Sequence, residues 1–208
     1  MILALDAALA GCSAGVVAHS GVVAMRRAEG ARGQVAGLAA MAQSVLRDAG
    51  IAAPSLMHVA VTIGPGSFTG IRAALSLAHG IALASGIPAV GVTVGEALWH
   101  PPDGRAHWAA VDSRRGLVFL DRDGVVASVA LDRLPDPIGP VSVCGDAAGA
   151  VVAQLLARGH DAVLWGAATP DPAGIAAASL RRIRSGPDPR PVQPLYVDPP
   201  AARLPGAC

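Results

Sequence analysis

Gly64-Pro65-Gly66-Ser67-Phe68-Thr69-Gly70-Ile71-Arg72 divides an apolar run, residues 59–63, from a long stretch of helical periodicity. Strand, glycine turn and helix is the local reading. Pro65 has a fixed φ, the glycines admit backbone conformations closed to other residues, and Ser67 or Thr69 can offer an oxygen to the free N–H groups that open the helix. Such a turn brings bare backbone and a helix N-terminus to one place, where an anion or a second chain can approach. A capped turn with no ligand would satisfy the same residues.

Two familiar phosphate-binding motifs are excluded. No Gly-Lys-Ser/Thr ending is present, and all sixteen basic residues are arginine, so the stretch is not a P-loop. The glycines fall as G-x-G-x-x-x-G, one residue too long for the dinucleotide fingerprint, and no acidic residue follows about 20 positions on.

The 208 residues suffice for one large domain or two small lobes, and 52% hydrophobic content is ample for a core. Net charge is +1, and Arg181, Arg182 and Arg184 form the tight basic group, a weak footprint for gripping a polyanion. The start places Asp6 inside an apolar run without a basic flank, which reads as a first strand and not as a signal peptide. Residues 73–94 are the most apolar, but His79, Gly80, Gly86 and Pro88 break them into helix, turn and strand, so no membrane segment is expected. Cys12, Cys144 and Cys208 fit neither a disulfide framework nor a zinc spacing; a reducing cytoplasm is the simplest setting, with Cys12 and Cys144 as small buried fillers. Six aromatic residues cannot build the core, so alanine and glycine must do so by close helix approach.

In chain order, strands are expected at residues 2–6, 13–19 and 21–26, a helix at 33–49, a strand at 58–63, a helix at 69–85 and a strand at 89–93, then a short helix at 95–99. Three strands, helix, strand, helix, strand is the order of a ribonuclease-H-like lobe, the unit duplicated in actin-like ATPases and their kinase relatives, the ASKHA fold. Pro101-Pro102-Asp103-Gly104 marks the lobe boundary. A second trio of strands follows at 108–112, 117–121 and 125–130, with a turn at Arg122-Asp123-Gly124. Next come a strand at 141–144, a helix from Gly145-Asp146 to Arg158 with Gly159 behind it, and a helix opened by Asp171-Pro172 and ended by the arginine group. Proline-rich residues 185–194 read as an extended linker that returns Leu195-Tyr196-Val197 to the fold. The expected division is therefore 1–100, a smaller second lobe at 101–198 and a flexible tail at 199–208.

Two helices are informative by their faces. In the first, Val35, Leu38, Ala42, Val45, Leu46 and Ala49 share one arc for the core, and Ala36, Gly37, Ala40, Gln43, Ser44 and Arg47 form a small and polar side. In the second, Ile71, Ala74, Leu75, Ala78, Ile81 and Ala82 form a buried face, Arg72, Ser76 and His79 a narrow polar stripe, and Ala73, Leu77, Gly80 and Ala84 a second ridge of mostly small residues. A helix apolar over most of its circumference needs two partners: its sheet and something else, either the other lobe or another chain. His79 reads as a surface or satisfied histidine, since no acidic or histidine neighbour stands one turn away.

The nonapeptide at residues 64–72 closely resembles the signature of the TsaB (YeaZ) family. Ile2-Leu3-Ala4-Leu5-Asp6, Cys12-Ser13, Val111-Asp112-Ser113-Arg114 and Pro194-Leu195-Tyr196-Val197 fall in the same family order. The resemblance is strong before about residue 94 and thin after it. It implies a non-catalytic partner in threonylcarbamoyladenosine modification of tRNA, at the adenosine next to the anticodon. Such a protein docks through its two N-lobe helices onto a TsaD-type catalytic subunit. It reaches a TsaE-type ATPase through that complex, touches tRNA only indirectly and pairs with itself when alone.

The same resemblance implies no tightly bound cofactor, with ATP or ADP, where used, held at the partner junction, and no metal. Asp6 ends the first strand where enzymes of this fold place a metal-binding carboxylate, but Ala7 and Ala8 supply no hydroxyl; a structural role or a residual nucleotide contact is open to it. Family members tend to carry histidine at Gln34 and glutamate at Leu117. Asp112 with Arg114 is left as a buried tether across the lobes or a ligand contact. The alternatives are a weak ATPase or protease-like enzyme of the same fold, for which no defensible Ser/His/Asp spacing exists, or a homodimeric structural module.

Overall fold

The structure, a computed structural model, describes residues 1–30, 34–99, 104–122, 124–185 and 191–197. Strands β1 (Ile2–Asp6), β2 (Cys12–Ala18) and β3 (Gly21–Ala28) form an antiparallel meander. Helix α1 (Leu38–Asp48) and strand β4 (His58–Thr62) follow, then α2 (Phe68–Ser85) and β5 (Ala89–Val92), with β4 and β5 adding in parallel beside β1. The sheet order is β3-β2-β1-β4-β5. After α3 (Val94–Leu98) the pattern repeats: β6 (Ala106–Asp112), β7 (Val118–Arg122) and β8 (Val125–Val129) are antiparallel, and β9 (Val141–Cys144), α4 (Ala148–Ala157) and β10 (Ala162–Leu164) complete a sheet of order β10-β9-β6-β7-β8. This is a duplicated ribonuclease-H-like α/β fold of the actin-like ATPase type, its second half reduced.

Alternation along the strands decides which helix lies on which face. Leu3, Leu5, Val59 and Val61 point to one side and pack with Leu38, Ala42 and Val45 of α1 and Ile71, Ala74 and Ala78 of α2. Ile2, Ala4 and Ala60 point to the other, where they meet Ile175, Ala176 and Ala178 of α5 (Pro172–Arg184). The last helix, within the residues expected for the second lobe, thus covers the first sheet. It is clasped there: Arg182 pairs with Glu96 at 2.6 Å, and Arg181 donates to the Glu96 carbonyl at 2.7 Å and lies over Trp99. Arg181 and Arg182 of the basic group are thus spent inside the protein, while Arg184 is exposed.

Several sequence expectations shift. Strand β10 had no expectation, because Ala162–Leu164 is three residues long and pairs only with β9. Helix α4 begins at Ala148, later than Asp146, because Gly145 takes φ +101° and the Asp146 carboxylate is taken by the Asp112 N–H at 2.8 Å. A short 3-10 turn, Gln34–Gly37, precedes α1. The break at 101–103, Asp123, the Gln34 side chain, Cys208 and the tail lie outside the described residues. Cys12 and Cys144 are buried, and no described helix is long and apolar enough to cross a membrane.

Candidate functional site

The carboxyl ends of β1, β4 and β6 open onto one cleft of about 760 Å³ between the two sheets. Crevices at such strand ends are where open α/β sheets place ligands. One wall is the glycine turn. Gly64 has φ +115° and is joined to Pro65 by a cis peptide bond, and Gly66 has φ +151°. The Ser67 N–H donates to the Ala8 carbonyl at 2.7 Å, pinning the turn onto the loop after β1. Ser67 accepts from the Gly70 N–H at 3.2 Å and so caps α2, the role open to it or Thr69; Gly86 ends the helix in the left-handed conformation.

The glycines answer a close approach of two backbones. A Cβ at Gly66 would lie 2.0 Å from the Ala8 oxygen, and one at Gly70 would lie 1.9 Å from the Ala7 oxygen. Only hydrogen fits there. The contact joins the glycine turn to the loop after β1, whose Ala8, Leu9 and Ala10 line the cleft. Asp6 is buried and turned to structure: its Oδ1 accepts from the Thr62 hydroxyl at 2.6 Å and from the Ala8 N–H at 3.1 Å, and burial raises its pKa above the ordinary carboxylate range. It does not line the cleft. Among the described residues no group of three His, Cys, Asp or Glu could hold a metal ion.

The rim of the cleft is made by residues far apart in sequence. Residues 191–197 lie along the polar stripe of α2: His79 Nε2 donates to the Val192 carbonyl at 2.8 Å, the Leu195 N–H donates to the Ile63 carbonyl at 2.8 Å, and Arg72 donates to the Tyr196 hydroxyl at 2.8 and 3.1 Å. The Arg72 guanidinium also sits 3.9 Å from the centre of the Phe68 ring, whose centroid is 6.2 Å from that of Tyr196. His79 is thus a satisfied histidine, and residues 191–197 lie back on the fold as expected, residues 186–190 of the expected linker being outside the described residues.

Opposite stand Ser113, Arg114, Arg115 and Phe119. Arg114 and Asp112 form an ion pair of 3.4 Å within one turn, with side chains 60% and 47% exposed, and Arg114 reaches Asp146 at 3.8 Å. The expected buried tether across the lobes is therefore a solvated contact within the second half, because Arg114 in the left-handed region folds back on its own loop. Arg115, Phe119 and Asp146 carry no local motif, and sequence offered no signal for them.

The small faces of the two helices remain open. Ala36, Ala40, Gln43 and Arg47 are exposed and Gly37 and Ser44 half-buried on the outer side of α1. On α2, Gly80 and Ala84 are exposed, Ala73 and Leu77 half-buried, and a Cβ at Gly80 would meet nothing within 4 Å. Leu83 beside them is 87% exposed. The chain's own 191–197 segment takes the polar stripe and leaves the ridge free.

A family model described as TsaD: tRNA N6-adenosine threonylcarbamoyltransferase matches residues 29–143. Over 122 residues the chain is 31% identical to the tRNA threonylcarbamoyladenosine biosynthesis protein TsaB of Escherichia coli (strain K12), a match covering 57% of this chain and about half, 52%, of that protein's length. It is 29% identical over 216 residues to an uncharacterized protein of Mycobacterium tuberculosis, covering 100% of this chain and 96% of the other. In structure it is similar to YeaZ from Pseudomonas aeruginosa, with a TM-score of 0.75 at 22% identity over 94% of this chain and 98% of that one. A second chain, described as an uncharacterized protein with similarity to peptidase YEAZ from Pseudomonas aeruginosa, gives a TM-score of 0.77 at 22% identity over 95% of this chain and 99% of that one. These two likenesses carry the fold.

Proposed function

The chain belongs to the family that the TsaD model describes, and from that premise we propose that it is a protein of the TsaB (YeaZ) type, a non-catalytic subunit required for threonylcarbamoyladenosine modification of tRNA in the cytoplasm. It docks onto a TsaD-type catalytic subunit through the outer sides of α1 and α2, and through that complex it works with a TsaE-type ATPase. Alone, it pairs with a second copy over the same faces. Nucleotide, ATP or ADP, is held at the junction mainly by the partner's loops.

One observation carries this reading. The Ala36, Ala40, Gln43 and Arg47 side of α1 and the Ala73, Leu77, Gly80 and Ala84 ridge of α2 are uncovered, although the same chain lays residues 191–197 on the adjacent stripe of α2. Small side chains let another helix come near enough for backbone packing. The cleft supports the non-catalytic assignment from a second side, since Asp6 is engaged with Thr62 and Ala8.

The test is co-elution with a TsaD-type catalytic subunit on gel filtration. Ala40→Arg or Gly80→Leu is expected to abolish the complex while circular dichroism stays that of the parent protein and thermal unfolding shows no loss of stability. Unchanged co-elution of both variants overturns the docking faces.

A further inference from the structure

We propose that the cleft between the sheets binds one unpaired nucleotide of an RNA strand, its base stacked on the Phe68 and Tyr196 rings and the strand's adjoining phosphate held by Arg115. The inference draws on the proposed role in tRNA modification only for the choice of RNA; the site itself is argued from the side chains.

The chain has two phenylalanines and one tyrosine, and all three, Phe68, Phe119 and Tyr196, line this cleft. A protein that builds its core from alanine, valine and leucine has placed its whole Phe and Tyr content in one crevice. Phe68 and Tyr196 are 57% and 54% exposed, so they are not core packing. Arg72 holds both in place, lying over one ring and bonded to the hydroxyl of the other. Two rings fixed in advance and left open to solvent form a stacking platform, and every base has a face to offer it.

Charge points the same way. Arg72, Arg114 and Arg115 line the cleft against Asp112 and Asp146, three guanidinium groups to two carboxylates. Arg114 is engaged by both carboxylates, Asp112 at 3.4 Å and Asp146 at 3.8 Å, while Arg115 makes no ion pair among the described residues and is left for a phosphate. A free nucleoside triphosphate with its metal fits this cleft poorly. The loop after β1 turns the Ala7 and Ala8 carbonyls to the glycine turn, Asp6 is buried, and no described metal cluster exists. A strand whose single charges are spread along its backbone suits scattered arginines better. The expectation of indirect contact with tRNA came from the family resemblance and from a net charge of +1, which describes the whole surface; stacking in one cleft is local.

The experiment is fluorescence anisotropy of a labelled short single-stranded RNA titrated with the full chain. Binding is expected, weakened about tenfold by Phe68→Ala and by Tyr196→Ala, retained by Phe68→Tyr and unaffected by Leu83→Ala on the far end of α2. Arg115→Ala should lower the slope of log affinity against log salt by about one. Thermal unfolding of each variant confirms that it is folded. No binding, binding indifferent to removal of both rings, or displacement of RNA by free ATP at comparable concentration overturns the proposal. So does burial of both rings by the catalytic subunit with no RNA present. Because the assay uses this chain alone, its failure leaves the docking test standing, and failed docking leaves the RNA result standing.

Discussion

Thr62 donates its hydroxyl to Asp6 Oδ1 at 2.6 Å, joining the end of β4 to the end of β1 beneath the cleft. Burial is the main reason that Asp6 holds its proton above the ordinary carboxylate range, opposed in part by the bonds from Thr62 and Ala8 and by the charge of Arg27. With the folded pKa raised, the native state binds more protons than the unfolded chain between the two values, so stability falls as pH rises through that window. Asp6→Asn keeps an acceptor for Thr62 and should remove this decline, staying within about 1 kcal/mol of the parent at neutral pH. Asp6→Ala strands two donors and should cost about 1–3 kcal/mol. Denaturant unfolding across a pH series reads both.

His58 titrates with the opposite sign. Its Nε2 lies 2.8 Å from Ser179 Oγ, and the serine gives its own proton to the Ala176 carbonyl at 2.7 Å, so the imidazole donates from Nε2 and α5 is tied to β4. Burial, with the N-terminal amine a lesser cause, lowers its pKa to about 4. The unfolded chain takes a proton below about 6.5 that the native state refuses, so stability present above that pH is lost as pH falls towards 4. Ser179→Ala leaves the ring without its acceptor, Nδ1 having no partner among the described residues, and should cost about 1–3 kcal/mol. Thermal midpoints at several pH values for Ser179→Ala and His58→Gln test this; a parent profile flat from pH 7 to 4.5 in the Asp6→Asn background would contradict it.

Gly66→Ala and Gly70→Ala should each cost about 3 kcal/mol, because a methyl group would fall on the backbone oxygens of Ala8 and Ala7, which cannot rotate away. Gly80→Ala, with open space outside it, should raise stability by about 0.5–1 kcal/mol as helix propensity dictates. Comparing the three in one unfolding assay separates glycines kept for backbone approach from one kept for an outer surface.

Tyr196→Phe keeps the ring and removes both bonds from Arg72. Amide exchange at Leu195, whose N–H is bonded to the Ile63 carbonyl, should speed up, while the amide of Ile71 inside α2, bonded to the Ser67 carbonyl, stays protected. The 191–197 segment would then be loosened without the helix. Equal exchange in both proteins would mean that Leu195 and His79 hold the segment unaided.

The strand, turn and helix around residues 64–72 were legible because their causes are local: apolar run, hydroxyl cap, glycine and helical period all lie within a few residues. The buried arc of α1 was legible for the same reason, whereas the partner that satisfies His79, the Val192 carbonyl, lies 113 residues away. Less was legible of the cleft. Asp112-Ser113-Arg114 stood out as a motif, but whether its ion pair was buried depended on the positive φ of Arg114 and on Asp146, thirty-four residues from Asp112.

From its own letters the chain determined two successive three-strand meanders, a helix with one core arc, and a glycine turn that had to meet something closely, since φ preference and periodicity are properties of neighbours. Tertiary structure alone decided that α5 crosses back to the first sheet, that Asp6 is consumed by Thr62, and that Phe68 and Tyr196 meet across Arg72. Those outcomes depend on which buried faces find each other once the sheets are formed. Contacts between segments 56 residues apart, as for Asp6 and Thr62, or 124 apart, as for Arg72 and Tyr196, leave no period in the sequence.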